Sequence, residues 1–134
     1  MTKPRILIAD DDDQFRAILT QVLRDRYLVL PAVDGLEAID KAEQIRPDAI
    51  LLDLSMPECD GMEVLRRIRV CPRLESVPVI VVTGDCRRET VIQVIEAGAN
   101  DYVLKQSVAT DRLRLFRKID RCLKAPRLEV GPPV

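Results

Sequence analysis

Apolar residues along this chain fall into two alternating rhythms. Short unbroken runs, Arg5-Ile6-Leu7-Ile8-Ala9, Leu28-Val29-Leu30, Ala49-Ile50-Leu51-Leu52, Val79-Ile80-Val81-Val82 and Tyr102-Val103-Leu104, are each closed by polar or turn-forming residues. Runs this short, without polar alternation, predict strands covered on both faces. Between them the spacing turns helical: Phe15, Ile18, Leu19, Val22 and Leu23 fall at i, i+3, i+4, i+7 and i+8, a single stripe facing a sheet. Leu36, Ala38, Ile39 and Ala42 mark a second helix, Met62, Leu65 and Ile68 a third, and Val91, Val94 and Ile95 a fourth. A last helix, from Asp111 to about Lys124, carries Leu115, Phe116, Ile119, Cys122 and Leu123 inward. Asp34-Gly35, Pro47-Asp48, the Met56–Gly61 segment, Pro72 and Pro78 punctuate the units, and Gly98 suits a helix C-cap. Strand then helix, five times over, predicts an α/β fold: a doubly wound parallel sheet with right-handed crossovers.

The 134 residues, 47% of them hydrophobic, suffice for one domain, placed at residues 3–124. Residues 125–134, with Pro126, Pro132 and Pro133, lack periodicity and read as a flexible tail or linker stub. Lys plus Arg number 21 and Asp plus Glu 22, so no overall field points to nucleic acid or an anionic membrane. Basic residues on the last helix, Arg112, Arg114, Arg117, Lys118, Arg121 and Lys124, have no aromatic platform beside them and read as a solvated or partner-facing surface. No apolar run reaches the ~18 residues of a membrane span, and Met1-Thr2-Lys3-Pro4 leads directly into a strand, so a soluble cytoplasmic protein is expected. The four cysteines form no C-x-x-C pair and there is no histidine, which removes the usual zinc constellations and any Ser-His or Cys-His nucleophile. Reduced thiols are expected, with a Cys59–Cys86 redox pair as a minor alternative.

Asp53 ends the third apolar run, at the strand edge where ligands bind in open α/β sheets. Alone it reads as a nucleophile, a metal ligand or a plain turn residue. Its company narrows the choice. Asp10 and Asp11 follow the first strand, Thr83 closes the fourth and Lys105 the fifth, and in a parallel sheet these ends share one rim. Asp12 or Asp13 can cap the following helix. Clustered carboxylates repel unless a cation sits among them, and oxygen-only ligands select a hard ion such as Mg2+. An amine and a hydroxyl then remain to bind phosphoryl oxygens, and an aspartate can attack phosphorus to give an acyl phosphate.

Ile8-Ala9-Asp10-Asp11, Leu52-Asp53-Leu54-Ser55-Met56-Pro57 with Asp60-Gly61, Pro78-Val79-Ile80-Val81-Val82-Thr83, and Ala97-Gly98-Ala99-Asn100-Asp101-Tyr102-Val103-Leu104-Lys105 resemble the receiver domains of two-component response regulators. The resemblance spans roughly Lys3 to Lys124, with every motif in order. It implies a flavodoxin-like (βα)5 fold with strand order 2-1-3-4-5. It also implies that Asp53 accepts a phosphoryl group from a histidine kinase or histidine phosphotransfer protein. Asp11, Asp53 and the backbone carbonyl of Ser55 would bind Mg2+ directly, with Asp10 acting largely through water. Lys105 would pair with the phosphoryl oxygens, Thr83 would swing to one of them, and Tyr102 would turn inward. That would change a face read by a downstream protein or output domain. Such a chain is a signalling phosphoacceptor, not a metabolic enzyme, and a monomer or weak dimer, with Ile92 and Leu113 available to a dimer.

Three positions qualify the likeness. Gln106 stands where the family has a proline, so either a trans bond with a shifted loop or a strained cis bond is expected. Ser55 and Asp85, two residues beyond Asp53 and Thr83, occupy places where the family tunes acyl-phosphate hydrolysis. Ser55 also argues against an aspartyl-phosphate hydrolase, which needs a carboxylate there. A phosphate-independent interaction module is the alternative, while a flavodoxin-like cofactor binder lacks its phosphate loop after the first strand.

Overall fold

The computed structural model describes residues 2–56 and 60–124. The strands are β1 (Arg5–Ala9), β2 (Leu28–Ala32), β3 (Ala49–Asp53), β4 (Val79–Thr83) and β5 (Asp101–Leu104). They form one parallel sheet in the order β2-β1-β3-β4-β5. The helices are α1 (Asp13–Leu23), α2 (Gly35–Ile45), α3 (Gly61–Val70), α4 (Arg88–Glu96), α5 (Lys105–Val108) and α6 (Arg112–Lys124).

Alternate residues of each strand feed opposite faces, which is why the strands carry continuous apolar runs. Leu7, Ala9, Ile50, Leu52, Val79 and Val81 join Ala38 and Ala42 of α2, Val64, Leu65 and Ile68 of α3 and Val94 of α4. Ile6, Ile8, Leu51, Ile80, Val82 and Val103 join Leu19 and Leu23 of α1 and Leu115, Phe116 and Ile119 of α6 on the other side. β3 and β4 are buried throughout. β2 runs on through Pro31 to Ala32, and as an edge strand it tolerates the missing N–H.

The helical stripes predicted from spacing are wider than the faces the sheet covers. Ile18, Leu36 and Ile95 are 43%, 51% and 46% exposed, at the flank of each stripe and not on the sheet. At the end of β5 a helix not expected from the sequence appears, and of the two expected forms of the Lys105-Gln106 bond the trans one is found. The strand stops at Leu104, and Lys105 opens the short helix α5. There is no cis peptide bond among the described residues, so Lys105-Gln106 is trans. A proline at 106 would push residue 105 out of helical space, and glutamine imposes no such restriction. The tail at 125–134 and Cys59 lie outside the described residues.

A polar staple, unread in the sequence, ties the loops beneath the sheet. Arg69, near the end of α3, donates to the carbonyls of Gly98 (2.8 Å), Val77 (2.8 Å) and Glu75 (3.1 Å) and to Asn100 Oδ1 (2.8 Å). Asn100 in turn accepts from the Val79 N–H at 2.9 Å, fixing the start of β4. Gly98 has φ +106°, and a Cβ there would stand 3.0 Å from the Arg69 side chain. Burial pushes the Arg69 guanidinium below its ordinary pKa. Arg69→Met keeps the stem but strands these acceptors, and should cost about 2–4 kcal/mol. Urea unfolding would read this as a lower midpoint at unchanged slope. Arg69→Lys should recover only part, because one ammonium cannot span four oxygens.

Candidate functional site

The site is assembled by register. Ala9 pairs with Leu52 and Val82 with Asp53, so the residues just past β1, at the end of β3 and at the end of β4 meet at one edge. Asp10, Asp53 and Thr83 are the buried polar residues among the described ones, at 1%, 3% and 3% exposure. Lys105 Nζ stands 3.2 Å from Asp10 Oδ2 and 3.4 Å from Asp53 Oδ1. Oxygens of Asp10, Asp11 and Asp53 all lie within 4.8 Å of one another, Asp11 being the exposed member.

Local capping holds this cluster. Asp10 Oδ1 accepts from the Asp12 N–H at 2.8 Å, and Asp12 is the N-cap of α1, accepting from the amides of Gln14 and Phe15. Asp13 pairs with Arg16, whose guanidinium also donates to the Asp10 carbonyl at 2.8 Å. The acidic run therefore divides its labour: Asp10 and Asp11 face the site, Asp12 caps and Asp13 pairs along the helix. At the entry to α3, a Cβ on Gly61 would lie 2.2 Å from the carbonyl oxygen of Asp53. Only glycine lets the helix start this close to the strand end that carries Asp53.

Burial, and then the charge of Asp10, push the Asp53 carboxyl up to about 6, against the pull of Lys105 and a backbone hydrogen bond from Ser55. Burial alone would lower the Lys105 ammonium, but Asp53 and Asp10 outweigh it and hold it above its ordinary value. Asp10 Oδ2 and Asp53 Oδ2 are buried and accept no hydrogen bond; the contact of Asp10 Oδ2 to Lys105 is an ion pair without hydrogen-bond geometry. Two buried carboxylates with spare oxygens, an exposed third beside them and a single ammonium make an oxygen-only donor set with excess negative charge. That set fits a hard divalent cation.

The other predicted residues are close by. Thr83 Oγ1 accepts from the Asp85 N–H at 3.1 Å. The Asp85 carboxylate accepts from the Arg87 guanidinium (2.7 Å) and from Thr90 Oγ1 (2.7 Å), and the Arg87 side chain holds it well below the usual carboxylate range. Ser55 is exposed on the loop after β3. Tyr102 is half-buried, its ring 5.0 Å from Lys118 Nζ, which also donates to the Tyr102 carbonyl at 2.6 Å. One contact had no sequence signal: Lys105 Nζ lies 4.7 Å from the ring centroid of Phe15, which spacing had placed only in the core.

The profile of the response regulator receiver domain family matches residues 6–117. The transcriptional regulatory protein PrrA of Mycobacterium bovis is 39% identical over 112 residues, covering 83% of this chain and 47% of that protein. The chain thus spans under half the length of that relative. Among solved structures, the receiver domain of sensor histidine kinase PA1611 from Pseudomonas aeruginosa, with a magnesium ion in its active-site cleft, superposes with a TM-score of 0.82 at 31% identity, covering 91% of this chain and 98% of that one. The chemotaxis protein CheY4 of Vibrio cholerae gives 0.81 at 26% identity, over 88% and 99%. No helix among the described residues is long and apolar enough to cross a membrane.

The burial of Asp53 beside a like charge has a measurable consequence. Asp53 holds its proton more tightly in the fold than in the unfolded chain, so its contribution is complete below the unfolded value of 3.8 and is lost as pH rises through about 6. Without divalent ions, Asp53→Asn should therefore exceed wild type at pH 8 by about 1–2 kcal/mol, or about 3–8 °C in Tm. The gain should shrink toward pH 5. Thermal melts at both pH values check it, and a variant less stable at both would mean that the Lys105 pair outweighs the repulsion.

Proposed function

Because the chain belongs to the receiver domains of two-component response regulators, we propose that it accepts a phosphoryl group at Asp53 from a partner phosphohistidine and signals through the change this makes at its surface. The observation that supports this most directly is the buried Asp53 carboxylate with Lys105 Nζ 3.4 Å away and Asp10 and Asp11 beside it. The receiver is taken as residues 3–124. The phosphodonor is a histidine kinase or histidine phosphotransfer protein, and the reader of the switch is a downstream protein or an attached output domain.

The chemistry is one in-line displacement. An Asp53 carboxylate oxygen forms a bond to phosphorus as the N–P bond of the donor breaks, and the departing electron pair stays on the partner's imidazole. Asp53 has to be ionised to attack, and a carboxyl at about 6 is ionised at neutral pH. Lys105, already above its ordinary pKa, stays charged and donates to a phosphoryl oxygen. Thr83 releases the Asp85 N–H and presents its hydroxyl to another. Asp10, Asp11, Asp53 and the Ser55 carbonyl would hold Mg2+, which supplies positive charge against the phosphoryl oxygens. Gly61 keeps the entry to α3 from displacing the Asp53 backbone. Tyr102, half-buried with Lys118 Nζ 5.0 Å from its ring, would turn inward when Thr83 leaves its present partner.

Incubation with magnesium and acetyl phosphate, followed by intact mass, tests the proposal. Wild type should gain one phosphate and Asp53→Asn none, and chelation should abolish the gain. No gain in either protein, with no response to beryllofluoride, would turn the reading to a phosphate-independent interaction module.

A further inference from the structure

Among the described residues the ammonium of Lys105 faces Asp10 at 3.2 Å, Asp53 at 3.4 Å and the ring of Phe15 at 4.7 Å. The first two are carboxylates of the candidate metal cluster. Any divalent cation held there neutralises much of the field that now keeps Lys105 in place. The phosphoryl reading needs Lys105 to stay poised in that same state. A long, flexible lysine stem does not hold one position without a restraint. The Phe15 face is the neighbour whose attraction does not depend on the charge of the carboxylates, since it comes from the ring quadrupole.

The ring is itself well placed. Phe15 lies in the first turn of α1, and its backbone N–H is bound by Asp12 Oδ1 at 3.3 Å. Asp12 is bound through its own N–H to Asp10 Oδ1 at 2.8 Å. The acidic run thus fixes where α1 begins, and so where the aromatic at its third position stands. Phe15 is half-buried against the core beneath α1 and α6, which limits its rotation.

We propose that Phe15 is a positioning residue for phosphoryl transfer, holding the Lys105 ammonium over Asp53 through a cation–π contact once the carboxylates are occupied by a metal ion. This rests on the phosphoacceptor reading above. It assigns to α1 a direct part in the site beyond supplying the carboxylates that precede it.

Phe15→Leu keeps an apolar helix former and removes the π face, while Phe15→Tyr restores it. Phosphorylation by acetyl phosphate at saturating magnesium should slow by roughly threefold to tenfold in Phe15→Leu, the range for loss of one partly desolvated cation–π contact. It should recover in Phe15→Tyr. In a Lys105→Met background, Phe15→Leu should cause no further loss. NMR of the wild type, with and without magnesium, should show ring-current shifts on the Lys105 ε-methylene protons that vanish in Phe15→Leu. If wild type takes no phosphate, the phosphoacceptor reading falls and this role with it. If wild type is phosphorylated but Phe15→Leu matches it, loses rate equally beside Lys105→Met, or leaves the ε-methylene shifts unchanged, the positioning role alone is overturned.

Discussion

Two carboxylates, Asp10 and Asp53, are buried side by side at one edge of a sheet and faced by a single ammonium. Burial and mutual repulsion work against the pair, and the rest of the edge is arranged so that it persists. The parallel register brings β1 and β3 into line and forces the two side chains together. Gly61 lets the start of α3 approach the Asp53 carbonyl, where any Cβ would collide. Asp12 and Arg16 fix the backbone of the acidic turn from outside, using its side chains and its carbonyl. Strain of this kind is characteristic of a functional edge, since a site shaped only for stability would replace one carboxylate by an amide.

Much of this was legible in the chain because the constraint is itself periodic. A strand covered on both faces must be apolar throughout, so β1, β3 and β4 announce themselves, and the first polar residue after each marks the rim. Parallel connection then places Asp10, Asp53, Thr83 and Lys105 together without any knowledge of side-chain angles. The ends of elements were less legible. The apolar run 28–30 stops short of the end of β2 at Ala32, because Pro31 interrupts it and an edge strand tolerates that proline. The run ending at Lys105 gives no sign of α5, into which the chain coils at once without proline at 106. Ile18, Leu36 and Ile95 fit a helical stripe but lie beyond the arc that a flat sheet can cover.

What spacing could not show were contacts between charged side chains and distant backbone or rings. Arg69 satisfies carbonyls 6 to 29 residues away, and Arg26 rests 4.5 Å over Phe116 while its guanidinium pairs with Asp120. Asp120 also accepts from the Tyr27 hydroxyl, so the turn between α1 and β2 is joined to α6 by one carboxylate. Such staples have no period, because each is set by where two loops happen to cross. They matter for function by holding the frame: if α6 or the loop before β5 drifted, Lys105 would lose its geometry.

Thr83 shows how the site can reach the surface. Its hydroxyl accepts from the Asp85 N–H, and the Asp85 carboxylate binds Arg87 and Thr90 at the start of α4. The N-cap residue of α4, Arg87, makes no side-chain cap hydrogen bond, and Asp85 instead accepts from the Arg87 N–H and from Thr90 Oγ1. A hydroxyl that turns toward a new negative group leaves the Asp85 N–H without its acceptor, and the loop must find another partner or move. One residue, Asp85, thus contacts both Thr83 and the start of α4. The same chain of contacts runs no further than α4, since Tyr102 is held separately by Lys118. Among the described residues, then, the hydrogen bonds that start at Thr83 and those that hold Tyr102 form two separate sets.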